Sequence, residues 1–265
     1  MNESLIIILF FIFGTIIGSF LNVVILRFHT GMTLQGRSKC FACSKTLRWF
    51  ELFPVFSFMA QRGKCLHCKS RISVQYPLVE VITGILFALS AVHFIHLIYF
   101  SIPFFLILTF YFIILFSLLM IIVVYDIRHK IIPNQFAYTF FIVSVIGLFL
   151  PTSLNSIYLG WYNICAGLII GLPFALLWLI SRGRWMGLGD PKLMLGMGTV
   201  LGLFQGLIAI AVSFWIAAIV GVILLAFKKA NRKTEVPFAP FLAIGFAITV
   251  LFFTPMMHLF FSIYQ

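Results

Sequence analysis

Acidic side chains are nearly missing from this chain: 6 Asp and Glu stand among 265 residues, against 18 Lys and Arg. Charge of either sign makes up 9% of the chain, 63% is hydrophobic, and mean hydropathy reaches +1.16. A water-soluble domain needs far more polar groups to cover its surface, so that class is excluded. The first four residues carry no Lys or Arg and no small-residue cleavage site follows. The first apolar run, Leu5 to Leu26, therefore reads as a retained helix rather than a secretory leader. Also missing are a pair of His one turn apart flanking a Glu, a Ser, His and Asp arrangement, and the glycine fingerprint of a soluble Rossmann-like cofactor domain.

What the chain does have is a series of apolar runs, most of them near the roughly 20 residues that carry a helix across a hydrocarbon core of about 30 Å. They are Leu5 to Leu26, Leu78 to Phe100, Ile102 to Tyr125, Phe136 to Leu150, Trp161 to Ile180, Leu193 to Phe204, Leu207 to Phe227, and Phe238 to about Phe261. The expectation is an all-α polytopic membrane protein of about eight transmembrane helices, with a small loop domain between the first and second. All 18 Lys and Arg then fall on one side, in Arg27 to Pro77, Asp126 to Gln135, Ser181 to Lys192 and Lys228 to Pro237. By the positive-inside rule that side is cytoplasmic and both termini are outside. The net charge of +12 is thus an orientation signal with attraction to anionic headgroups, and no nucleic-acid partner is expected. Gly14 and Gly18, Gly167 and Gly171, and Gly198 and Gly202 form small-xxx-small pairs that let helices approach closely.

The polar loop carries Cys40-Phe41-Ala42-Cys43 and, 21 residues on, Cys65-Leu66-His67-Cys68. Two tight turns that each present two thiolates can give one zinc four tetrahedral sulfurs, a closed site with no open position and hence structural. Disulfides are the rival reading, disfavoured by the reducing side on which the loop falls. Cys165 lies within a span and reads as a small buried hydrophobe.

The six acids are Glu3, Glu51, Glu80, Asp126, Asp190 and Glu235. An ionisable group in a span is costly, which makes it a functional hypothesis by default. Asp126 closes the apolar run Ile113 to Tyr125, and Asp190 ends Gly187-Leu188-Gly189-Asp190 at the next turn but one, on the same cytoplasmic side. Two carboxyls brought together share a proton. One acts as base on water while the other, protonated, polarises a scissile carbonyl, the chemistry of an aspartyl protease. The rival reading is interfacial ion pairing, Asp126 with Arg128 or Lys130 and Asp190 with Lys192 or Arg184. Glu80 stands near the start of a span, with Arg71 as a candidate partner, and Asn22 reads as a bond to another helix.

Several ordered motifs then resemble the bacterial type IV prepilin leader peptidases, a group that includes the competence pseudopilin peptidases and falls in the GxGD class of aspartyl intramembrane proteases. They are Gly18-Ser19-Phe20-Leu21-Asn22-Val23-Val24, the paired CxxC loop, Tyr76-Pro77-Leu78-Val79-Glu80, Asp126 through Ile132-Pro133-Asn134, Gly187-Leu188-Gly189-Asp190-Pro191-Lys192-Leu193, and Pro237-Phe238-Ala239-Pro240-Phe241-Leu242. The resemblance implies cleavage of prepilin or pseudopilin leaders at the cytoplasmic face of the bacterial inner membrane, with Asp126 and Asp190 as the catalytic pair. It also implies N-methylation of the new N-terminus with S-adenosylmethionine, associated with Gly18, Asn22 and Glu80, and zinc at Cys40, Cys43, Cys65 and Cys68. The family's loop typically begins Cys-Pro-x-Cys and later reads Asn-Ile-Pro, where this chain has Phe41 and Leu52-Phe53-Pro54. The division expected is a first transmembrane helix at 1–26, a cytoplasmic zinc loop associated with methyl transfer at 27–77, and a peptidase bundle at 78–265. Two other classes stay open: an ion-coupled transporter, against which both acids lie at helix ends without evident internal symmetry, and a zinc-stabilised scaffold of a secretion machine.

Overall fold

The computed structural model describes residues 3–31, 33, 35–150, 157–227 and 236–253. The basic stretch 228–235, residues 151–156 and the part of the last apolar run beyond 253 lie outside the described residues. Among the described residues the main elements are helices: α1 Glu3–Arg27, α2 Phe56–Ala60, α3 Gln75–Phe94, α4 Ile102–His129, α5 Asn134–Gly147, α6 Ile157–Ser181, α7 Gly189–Ala226 and α8 Ala239–Ile248. Five are long and apolar enough to cross a membrane, and Asn134–Gly147 and Ala239–Phe252 are shorter apolar helices. Packing divides the chain into two compact units, Met1–Ile121 and Ile122–Gln265, with α4 running through the division.

In the first unit, α1 and α3 pack antiparallel at backbone distance. A Cβ on Gly14 would stand 2.7 Å from Gly84 Cα, and one on Gly18 would stand 2.7 Å from Glu80 Cα. Between helices that gain nothing from excluding water, this close approach supplies the contact energy. The opposite side of α1 leaves Ile8, Leu9, Ile12, Ile16 and Phe20 exposed, the inside-out pattern of a helix whose solvent is lipid.

In the second unit, α7 is 38 residues long, about 57 Å if straight, which overshoots a bilayer. It does not run straight. Gly202 adopts φ 75° and ψ −178°, a conformation open to glycine, and the chain folds back there. A Cβ on Gly206 would lie 3.4 Å from Gly198 Cα, although eight residues of straight helix would separate the two by about 12 Å. The reversal comes at Gly202 rather than near Gln205, because the turn needs a residue that tolerates positive φ and Gly202 supplies it. Gly167 of α6 packs on Gly198, so that glycine pair too is a packing device.

Candidate active site

Asp126 and Asp190 both belong to the second unit, and both are buried, at 5% and 9% exposure. Asp126 stands one turn before the end of α4. There Lys130, at φ 54°, donates its N–H to the Asp126 carbonyl (2.7 Å), and the chain leaves the helix through Ile131-Ile132-Pro133. Asp126 Oδ2 accepts the backbone N–H of Ala239 at 3.1 Å. Ala239 is the first residue of α8, whose preceding residue Phe238 has no side-chain cap, so Asp126 caps α8 from 113 positions away in sequence. The Pro237-Phe238-Ala239-Pro240 motif is thus the start of a helix aimed at a carboxylate.

Asp190 occupies the first turn of α7, within range of the Asp126 charge. Its neighbouring glycines do different jobs. A Cβ on Gly189 would stand 2.5 Å from Ile132 Cβ, so only glycine lets the α7 start approach the Ile131–Pro133 segment that follows Asp126. A Cβ on Gly187 would meet Asp190 Oδ2 at 3.8 Å, an ordinary contact. Lys192 does not direct its ammonium at a carboxylate in the bonds seen: it donates to Asn134 Oδ1 (2.7 Å) and sits 4.7 Å over the Tyr138 ring. Two carboxyls close enough to feel each other, in a water-poor setting, can share a proton and act together on water.

In the first unit the four loop cysteines are free thiols whose sulfurs all lie within 4.8 Å of one another. Cys40 Sγ and Cys68 Sγ are 3.8 Å apart, close to the roughly 3.8 Å edge of a tetrahedron with metal–sulfur bonds of about 2.3 Å. The two pairs sit on matching turns. Ser44 N–H bonds to Cys40 O and Cys40 N–H to Lys45 O; Lys69 N–H bonds to Cys65 O and Cys65 N–H to Ser70 O. Ser44 and Lys69 occupy the left-handed region at φ 57° and 58°. The backbone N–H groups of Cys43 and Ala42 hold the Cys40 thiol down at about 6. For Cys43, the Lys45 N–H pulls the other way, but desolvation and the neighbouring Cys40 and Cys68 sulfurs push it up to about 11. Four sulfurs this close need a cation to be ionised together, so the donor set fits a thiolate-bound metal.

Gly18, Asn22 and Glu80 come together where α1 meets α3. Gly18 makes the close approach already described. Asn22 donates to Gly18 O (3.3 Å) and Tyr76 O (3.2 Å), and accepts from Gln75 (3.4 Å). Glu80 is buried and its Oε2 accepts the Val55 N–H at 2.8 Å, with Ser19 as a further partner. Val55, at φ 62° and ψ −52°, is a β-branched residue in a region such residues avoid. Glu51, buried at 6% exposure, accepts the Arg48 N–H (2.7 Å) through Oε2, while Oε1 is buried without a hydrogen-bond partner.

The Bacterial Peptidase A24 N-terminal domain model matches residues 12–94, and that of the Type IV leader peptidase family matches 113–222. The prepilin leader peptidase/N-methyltransferase of Bacillus subtilis is 34% identical over 244 residues, 91% of this chain and 92% of its own length. The chain belongs to the type IV leader peptidase family. Relatives of the same description occur in Xanthomonas campestris, 32% identical over 88% of this chain and 86% of the relative, and in Pseudomonas aeruginosa, 30% identical over 90% and 87%. No solved structure matches the chain.

Reading the sequence gives no role to Glu51 or Val55, and it does not foresee the contact that joins Lys192 to Asn134 and Tyr138. Glu51 could have been singled out, since any one of six acids in so apolar a chain is unusual. Nothing local marks Val55, whose conformation is imposed by a partner 25 positions away.

Proposed function

We propose that this chain is a prepilin peptidase that removes the leader of type IV prepilins or pseudopilins at the cytoplasmic face of a bacterial inner membrane. Asp126 and Asp190 are the catalytic residues: one takes a proton from water as it attacks the scissile carbonyl, and the other, protonated, polarises the carbonyl oxygen. The observation that carries this reading is the pair of buried carboxyls in one unit, Asp190 within range of the Asp126 charge and Asp126 held by the N–H that begins α8. The start of α8 brings the positive end of a helix dipole to Asp126, and Asp190 stands at the start of α7. No metal and no acyl-enzyme is needed for this route.

The same chain also N-methylates the new N-terminus. S-adenosylmethionine would supply an electrophilic methyl group when bound, with Gly18, Asn22 and Glu80 as its site. What fits a cationic methyl donor is the acidity of this unit's buried groups, Glu80 and the half-satisfied Glu51. Zinc is the metal proposed for Cys40, Cys43, Cys65 and Cys68, where it acts as a structural clip.

Counting the two arms of α7 separately and adding the two shorter apolar helices to the long ones gives eight spans, with both termini outside and the cysteine loop in the cytoplasm. The functional division is a first span at 1–26, the zinc loop at 27–77 and the peptidase bundle at 78–265. The direct test is co-expression with a prepilin, following leader removal for wild type, Asp126→Asn and Asp190→Asn, and weighing the processed N-terminus with and without S-adenosylmethionine. Wild-type cleavage by either variant would refute the pair.

A further inference from the structure

The cysteine loop exposes side chains that a water-facing loop would hide. Trp49 is 80% exposed, Phe56 69% and Met59 68%, with Phe53 also open, all within a dozen residues. Their depth is fixed by a hydrogen bond. Val55 N–H reaches Glu80 Oε2, and Glu80 lies five residues past Gln75, about 7 to 8 Å along α3 from its first residue. On the partner helix Gly18, which packs on Glu80, lies nine residues before Arg27 at the end of α1, roughly 13 Å by helical rise, so α1 runs on past the level at which α3 begins. On α3 itself, Leu78 and Ile82 flank Glu80 and are exposed as lipid-facing residues are. The turn from Phe53 to Phe56 is therefore level with apolar helix surface.

We propose that the segment 48–60 is an interfacial anchor, its aromatic and methionine side chains seated among lipid headgroups and upper acyl chains. Interfacial helices sit about 5 to 10 Å into that boundary, which matches the depth set by Glu80. Trp and Phe at such a level are the usual aromatic belt. Charge complementarity names the occupant: residues 27–77 hold nine Lys and Arg and a single acid, Glu51, and that acid is buried. A basic rim around an apolar patch fits anionic phospholipid. Arg48, whose guanidinium stands 5.9 Å over the Phe50 ring, has the form of a side chain reaching from the patch toward headgroups. Val55's positive φ turns the chain sharply between Phe53 and Phe56, both of which are left outward. The inference rests on α1 and α3 spanning the membrane, and it moves part of the cytoplasmic loop to the bilayer surface, where a membrane-held substrate leaves the lipid.

The test replaces Phe53, Phe56 or Phe20, one at a time, with the photo-crosslinker p-benzoylphenylalanine in the full chain, reconstituted in nanodiscs of phosphatidylethanolamine and phosphatidylglycerol. After irradiation, mass spectrometry identifies what each position captured. Positions 53 and 56 are expected to yield phospholipid adducts, as Phe20 on the lipid face of α1 does. Peptide adducts, or no adduct, at 53 and 56 while position 20 captures lipid would overturn the anchor and leave the spanning reading intact. Loss of lipid capture at position 20 would sink the spanning reading and the anchor with it. Should a probe variant fail to fold, quenching by bromine-substituted acyl chains decides: Trp49→Phe is expected to lose a share of the quenching seen with the unaltered chain. Equal quenching in both overturns the proposal.

Discussion

Replacing Gly189 with alanine should slow leader cleavage by about 10²-fold while leaving the chain folded. The added Cβ would stand 2.5 Å from Ile132 Cβ and 3.1 Å from both Cγ1 and Cδ1 of the same residue. Carbon atoms settle at about 3.5 to 4.0 Å, so the overlap is roughly 1 to 1.5 Å. A rotamer change cannot relieve it, because Ile132 Cβ is fixed by its backbone. Either the start of α7 or the Ile131–Pro133 segment must move by about 1 Å, and those two segments carry Asp190 and follow Asp126 directly. A displacement of that size costs about 10²-fold in rate when it misplaces catalytic groups, whereas overpacking of this kind costs about 1 to 3 kcal/mol of stability. The assay is the initial rate of leader removal from a purified prepilin in nanodiscs, with zinc content and thermal melting as checks on the fold. Ile132→Ala should not rescue the variant, since it keeps the clashing atom, while Ile132→Gly should restore part of the rate. Wild-type cleavage by Gly189→Ala, or equal rescue by both second-site changes, would refute the reasoning.

Asp126→Asn and Asp190→Asn should each lower cleavage by at least about 10²-fold in the same assay without changing zinc content. Cys40→Ser and Cys65→Ser should lose bound zinc, read by atomic emission, and the loop should become protease-sensitive, an outcome that chelation of the unaltered chain should reproduce. Glu80→Gln keeps an acceptor for the Val55 N–H and removes the charge, so methylation of the processed N-terminus should fall with cleavage retained, as read by mass spectrometry. Glu80→Ala should additionally loosen the loop, because a strained backbone of about 1 to 3 kcal/mol then loses its partner.

Reading the sequence found what depends on composition and local spacing. Among the described residues the apolar runs correspond to helices, the paired cysteines do converge, and Gly14 with Gly18 and Gly167 with Gly171 do mark helix contacts, because each of these is set within a few residues by hydropathy, turn geometry or side-chain size, whereas Gly202 marks a reversal. Its limits are equally physical. Where α7 reverses is decided by the one glycine that takes positive φ, and Gly198, Gly202 and Gly206 look alike in sequence. The capping of α8 by Asp126 and the hold of Glu80 on Val55 join residues far apart in the chain, and no local pattern encodes such a pairing. The rival reading, ion pairing of Asp190 with Lys192 or Arg184, finds no support in Lys192, whose ammonium bonds to Asn134, a residue 58 positions earlier.

One rule unites the acids of this chain. Of the five acids among the described residues four are buried, and each of those stands at the start of a helix. Glu51 accepts the N–H of Arg48, which precedes the turn Trp49–Leu52; Glu80 accepts that of Val55, which precedes α2; Asp126 accepts that of Ala239, which opens α8. Asp190 lies in the first turn of α7. A helix start offers N–H donors that would otherwise go unbonded, together with the positive end of the dipole, so carboxylate and helix each relieve the other's desolvation. An amide partner also differs from a Lys or Arg partner in what it leaves behind. It stabilises a carboxylate through one oxygen without cancelling its charge, and the second oxygen keeps its capacity to accept a proton, as the unpartnered Oε1 of Glu51 illustrates. For Asp126, proposed here as one of the catalytic pair, that residual capacity is what chemistry on water would require, and an amide partner leaves it in place where an ion pair would not.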